Sequence, residues 1–406
     1  MTIRTEQRLA DALAARAAAV REESVRPLPD RGDRPAGQGQ TRWRSLAPLA
    51  AAAAVLAVVG GIIMAGRAFW GAGGRPFANV ASATSPPRYY VVLDWNSNLT
   101  VRATATGRVT DSVPEPEQWG GGGMRLLEAV AAAANGRRFV AVYNNFSQPY
   151  RTAVYTFTLT STGHIADYEL IRNGVLPGMA RVAVAVSPDG SKVAIAGNGP
   201  EAAAAGDIPA ARLRDARIIV IDVRTGRRAV FAGGLAKRRR QLGINSVSWA
   251  DHGRSLVYVA QWCELVDVDF NTDCVGRYRP VTELRMITAP ASGGTLGGGR
   301  TLVRNGARFL AILQAQASPD GRSVLALTDW AGRLTLARFA VPDGGLIAVL
   351  FRGGGVPSEN FLSVDGSGRY PIIVKNNGSV IGWVHRGSLR HLKIGQTELD
   401  GYGPAW

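Results

Sequence analysis

The sequence predicts an all-β fold, a six-bladed β-propeller, preceded by a single transmembrane helix and a short N-terminal helix. Three observations carry this. Short Val- and Ile-rich runs separated by tight turns recur along the chain; in these runs residues of both parities are apolar or small; and one stretch of 21 residues carries no charge. Alternating strands with one wet face would read differently, so both-parity apolarity implies small sheets covered on each face by other sheets.

The clearest repeat unit lies between Ala180 and Phe231. It reads Arg181–Val186, the turn Ser187-Pro188-Asp189-Gly190, Lys192–Ala196, then Ile218–Asp222, the turn Thr225-Gly226 and Ala229–Phe231. Proline fixes φ, and Asp-Gly supplies a left-handed position without steric penalty, so both turns have a mechanism. The first turn recurs as Asn135-Gly136, Asp251-His252-Gly253, Asp320-Gly321 and Asp365–Gly368. The second recurs as Thr106-Gly107, Thr162-Gly163, Ser292-Gly293, Asp343-Gly344 and Arg386-Gly387. Successive second turns lie between 43 and 67 residues apart, which fits four-stranded blades with variable connections. Beyond residue 88 the one candidate for a helix of ordinary length is the Ala-rich run around Met124–Ala134, where the alanines can mislead a propensity count.

Ser187–Gly190 and Ser318–Gly321, each between two strands, resemble the repeat of TolB-like and WD40-like β-propellers. The Trp-Asp ending of true WD40 blades is missing from this register, which favours the TolB-like variety. With its Ala- and Arg-rich leader, one span and Pro86–Val92 opening the outer domain, the chain is similar to uncharacterised membrane-anchored propeller proteins of actinobacteria; 43 Arg against 4 Lys fit a GC-rich genome. The resemblance implies a fold and not an activity.

The expected order is a cytoplasmic segment over 1–45, a transmembrane helix over 46–66, a tether over 67–87 and an extracytoplasmic propeller over 88–406. Thr5–Glu23 reads as a helix with Leu9, Leu13, Ala17 and Val20 on one narrow stripe, and the Pro-rich residues 26–40 read as a linker. Leu46–Gly66 at ~1.5 Å per residue is long enough to cross a hydrocarbon core. Nine Arg precede it, and only Arg67, Arg75 and Arg88 follow closely, so the N-terminus is expected to stay in the cytoplasm. A cleaved signal peptide competes with this reading, but the 45-residue polar leader is too long for an ordinary n-region.

The first unit begins at Tyr89–Leu93, already a second strand, and so lacks an innermost one. Closure is expected from the segment after Ile394, ending Tyr402–Trp406, in preference to Phe77–Ser82, since an open ring leaves an exposed sheet edge.

Net charge is +16, of which about thirteen lie beyond residue 45; this favours an anionic partner such as a membrane surface, a protein or an acidic cell-envelope polymer. Nucleic acid is disfavoured, because the Arg are scattered and the one dense run, Lys237–Arg240, lies in a connection. Cys263 and Cys274, the only cysteines, are expected to form a disulfide closing a short loop. Inside that loop Asp267, Asp269, Asn271 and Asp273 place oxygen donors at alternate positions, like the opening of a calcium loop; Thr272 replaces the turn glycine and Tyr278 the closing Glu, so this is a weak metal candidate.

No nucleophile elbow, Walker loop or zincin motif is present, and His164, His252, His385 and His391 are isolated in sequence. No cofactor and no catalytic residue is therefore expected. The dispersed carboxylates Asp94, Asp222, Asp267 and Asp329 are the candidates for meeting at a central channel. The expected role is a binding, sensing or scaffold module. The alternatives are an anti-sigma-like regulator using the N-terminal helix, and a cell-envelope hydrolase or lyase with carboxylates at the channel mouth.

Overall fold

The computed structural model describes residues 85–93, 98–114, 116, 125–145, 151–198, 216–233, 240–264, 281–289, 292–306, 311–318, 320–341, 343–356, 360–375, 380–392 and 404–406. The proposed N-terminal helix, the span 46–66, the tether as far as residue 84, the loop 267–273 and Cys274 all lie outside the described residues. Among the described residues, no helix is long and apolar enough to cross a membrane.

Among the described residues, twenty-three strands form six antiparallel sheets. The first holds β1 (Tyr89–Leu93), β2 (Leu99–Ala103) and β3 (Val109–Val113). The second holds β4 (Arg125–Ala132), β5 (Arg138–Asn145), β6 (Arg151–Leu159) and β7 (Ile165–Pro177), and the third β8 (Ala180–Val186), β9 (Lys192–Asn198), β10 (Ala216–Asp222) and β11 (Arg228–Ala232). The fourth holds β12 (Arg240–Ala250), β13 (Ser255–Glu264), β14 (Val281–Thr288) and β15 (Arg300–Arg304). The fifth runs β16 (Ala311–Ala317), β17 (Ser323–Trp330), β18 (Arg333–Ala340) and β19 (Leu346–Gly355), and the sixth β20 (Asn360–Val364), β21 (Pro371–Lys375), β22 (Val380–His385) and β23 (Ser388–His391). Strands are paired in chain order within every sheet, so each sheet is a simple meander.

All eleven turn glycines of the repeat have φ between 62° and 83°, in the region L residues with a Cβ avoid. The carboxylate of the first turn then locks it. Asp189 Oδ1 accepts from Ser187 Oγ at 2.6 Å and from the Ser191 amide at 3.0 Å, and Asp320 repeats both bonds with Ser318 and Arg322 at the same distances. At the second turn, Gly344 abuts the preceding blade so closely that a Cβ would overlap the Leu302 carbonyl.

Both-parity apolarity has the expected consequence. On β5, Phe139, Ala141 and Tyr143 pack toward the first blade, while Val140 and Val142 pack toward the third. On β13, Leu256, Tyr258, Ala260 and Trp262 face the third blade, and Val257 and Val259 the fifth. Each junction between neighbouring blades therefore has its own core, and no blade has one alone.

The ring closes as expected from the C-terminus. Ala405 bridges Val91, with N–H···O distances of 2.8 and 2.9 Å. Trp406 is buried, donates its indole N–H to the Tyr370 carbonyl at 2.6 Å and meets Tyr90 edge to face, so it belongs to the core between the sixth and first blades. The two-residue bridge is shorter than a full strand. Across the gap, Gly366 lies against the Ala134 carbonyl, where a Cβ would overlap it.

Candidate ligand site in the central channel

The innermost strands β4, β8, β12, β16 and β20, together with Pro404, enclose a cavity of about 170 Å³. The inner strands pair only within their own sheets, and side chains satisfy part of their free edges. Ser246 Oγ accepts from the Ala315 amide and Ser248 Oγ from the Ala317 amide, both at 3.0 Å, while Gln314 Oε1 accepts from the Leu362 amide at 3.0 Å.

Four inner strands share a further irregularity. The pairing register slips between Leu127 and Ala129 in β4, between Ala180 and Ala183 in β8, between Ile244 and Ser246 in β12, and between Ile312 and Gln314 in β16. A bulge gives one residue no opposite number and re-aims it. In β4 and β12 that residue is polar, and both of them, Glu128 and Asn245, line the cavity. Each is held at its base by an amide from the second strand. Asn144 hydrogen-bonds Glu128, and Asn245 Nδ2 donates to Gln261 Oε1. Register makes these two pairs equivalent: Asn144 follows Tyr143, the partner of Leu127, and Gln261 follows Ala260, the partner of Ile244.

Three carboxylates are buried among the described residues, and they differ in what compensates them. Glu283 is bound by Arg285 at 2.7 Å and Arg304 at 2.6 Å; burial would raise its carboxyl, but the Arg285 hydrogen bond and the two guanidinium charges outweigh burial and hold it below the ordinary carboxylate range. Asp365 accepts from the amides of Ser367, Arg369 and Tyr370 at 2.8–3.0 Å. Glu128, only 8% exposed, has the Asn144 side chain and, among the described residues, no cation in its hydrogen-bonding set. Burial consequently pushes its carboxyl up to about 7, with the Asn144 hydrogen bond opposing part of the rise.

The carboxylates expected at the channel are placed elsewhere where they can be followed. Asp222 Oδ1 accepts from the Thr225 amide and hydroxyl, both at 2.7 Å, and Asp329 Oδ1 from the Gly332 amide at 2.8 Å; both lock hairpins, as short carboxylates before a turn commonly do. Neither lines the cavity. Asp94 and Asp267 lie outside the described residues, as do Asp269, Asn271 and Asp273, while Cys263 lies in β13 opposite Gln241. His164 lies 3.6 Å from Asp111 on the surface, and the His385 ring packs on Trp383. Among the described residues, no three His, Cys, Asp or Glu gather as a metal-binding group. Glu128 was overlooked by sequence reasoning. The available signal was a single charge inside the otherwise apolar run Leu126–Ala134.

No protein-family model matches the sequence, and no curated protein matches it significantly. Among solved structures, TolB from Acinetobacter baumannii is similar, with a TM-score of 0.50 at 14% identity over 78% of this chain and 65% of that one. The chain thus spans just under two thirds of that protein. A protein assigned as TolB from Agrobacterium tumefaciens has a TM-score of 0.41 at 13% identity, over 78% of this chain and 94% of that one. At such identities the likeness speaks for the fold alone. The described chain is an all-β, six-bladed propeller whose fold is similar to that of TolB.

Proposed function

We propose that this chain is a non-enzymatic binding module, tethered to the membrane through residues 46–66, which holds its ligand in the central channel of an extracytoplasmic propeller. The observation that carries the binding reading is the channel itself, a cavity of about 170 Å³ whose wall presents Glu128, Asn245, Gln314 and Gln316 among small and apolar residues. A concavity that sets placed polar groups beside apolar wall is what small ligands and chain termini bind to. The tether rests on the uncharged run 46–66 and its flanking Arg.

A hydrolase reading has less support. Glycoside hydrolysis takes two carboxylates flanking one bond. Of the two among the described lining residues, Asp365 is committed to its turn, which leaves Glu128 alone. The test is capture of envelope peptides and polymer fragments by the full-length protein in detergent, compared with Gln316→Trp, which fills the channel. Channel-dependent capture is the expected result; identical capture by both proteins overturns the reading.

A further inference from the structure

We propose that the Glu128 corner of the channel is a binding site for a small organic cation, a primary ammonium or guanidinium group carried on a short apolar stem. The proposal rests on the reading of the channel as the ligand site and names the chemistry that site selects.

Four observations lead to it. The chain as a whole is basic by 16 charges, yet the described residues lining the cavity include two carboxylates and neither Lys nor Arg. Of those carboxylates, Asp365 has its acceptors filled by the amides of its own turn, so Glu128 alone is open to a ligand. Glu128, at the β4 bulge, lines the cavity, and Asn245, at the equivalent bulge in β12, lines it as a second polar residue. Finally, Glu283 shows how this protein compensates a buried carboxylate of its own, with two guanidinium groups; Glu128 has one neutral amide in their place. A buried anion gains most from a partner that brings both charge and N–H donors. The neighbouring wall of β8, Val182–Val186, is apolar and suits a short hydrocarbon stem.

Beside Glu128 is the Asn144 amide of β5, and the apolar β8 residues line the same cavity; among the other described lining residues Asp365 is the remaining titratable group. Because burial holds the carboxyl up near 7, a bound cation favours its ionised form and displaces a proton below that pH. A neutral ligand does not.

The test is calorimetric titration of the full-length protein in detergent with n-butylammonium, and with n-butanol as the uncharged analogue. Saturable butylammonium binding is expected at about pH 8, weakening by about tenfold or more at about pH 5.5, with proton release near neutrality revealed by buffers of different ionisation enthalpy. Glu128→Gln should lose about tenfold or more in affinity, and Glu128→Asp should retain part of it. Melting curves of both variants establish that they fold. Butanol binding as tightly as butylammonium, or Glu128→Gln binding like the wild type, overturns the cation assignment while leaving the channel as a ligand site. No saturable binding of butylammonium also overturns it, and capture with Gln316→Trp then judges the binding reading separately.

Discussion

The junctions between blades and the channel they surround treat buried polar groups in opposite ways. In the junctions and blade interiors, two buried groups show how polar atoms are matched. Thr152 Oγ donates to Asn144 Oδ1 at 2.6 Å while accepting from the Met179 amide at 2.8 Å, and Glu283 is held between Arg285 and Arg304. In the channel, Glu128 is buried with an amide for company and its carboxyl is driven up to about 7. Stability is thus built into the junctions, and the channel keeps an electrostatic deficit that a ligand can relieve. Changes in the junctions should destabilise the protein, and the right change in the channel should stabilise it.

The largest effect is expected at the seam. Deleting residues 396–406 removes the Ala405 bridge and Trp406 from the core between the sixth and first blades. Calorimetry should show loss of the cooperative melt. Trp406→Ala should cost about 3–5 kcal/mol. Hydrogen exchange should then show β1 and β21 losing protection before β9; a melt unchanged by either alteration breaks the comparison. Next comes Glu283→Gln, which leaves the buried Arg285 without its anion and should cost about 3 kcal/mol in chemical denaturation.

Glu128→Gln tests the opposite sign. A carboxyl raised from its ordinary value to about 7 binds protons more tightly folded than unfolded, so folded stability falls as pH rises from about 4.5 through about 7. Above that range the glutamine variant should be more stable by roughly 3 kcal/mol, and at about pH 4 the two proteins should melt alike. A variant less stable at every pH would place Glu128 among the structural carboxylates. Ser246→Ala, which deprives the Ala315 amide of its acceptor, should cost about 1–2 kcal/mol. The smallest effect belongs to Asp189. Burial would raise its carboxyl, but hydrogen bonds from Ser187 and Ser191 win and hold it low; its contribution is present above the unfolded carboxylate value and lost as pH falls through the lower folded one. Asp189→Ala should therefore flatten the acid limb of the stability curve, read by urea denaturation across the acidic range.

Much of the wheel was legible in residues because its rules are local. A positive φ demands glycine, so Gly190 and Gly226 announce their turns wherever they occur, and strands covered on both faces are apolar at both parities. Even the seam could be anticipated, because Tyr89–Leu93 opens on a second strand and an edge has to be covered. Asp222 and Asp329 misled because a carboxylate beside a turn and one beside a ligand look alike in a string of letters. The turn took both.

By itself, then, the sequence determined the repeat, the turns and the six sheets, since each depends on backbone preference or on strands apolar at both parities. Tertiary structure alone decided which carboxylate faces the channel. A bulge leaves no mark in composition, and Glu128 reaches the cavity because β4 slips one residue against β5. The energy of that carboxyl is likewise set by the blades packed around it rather than by its neighbours in the chain.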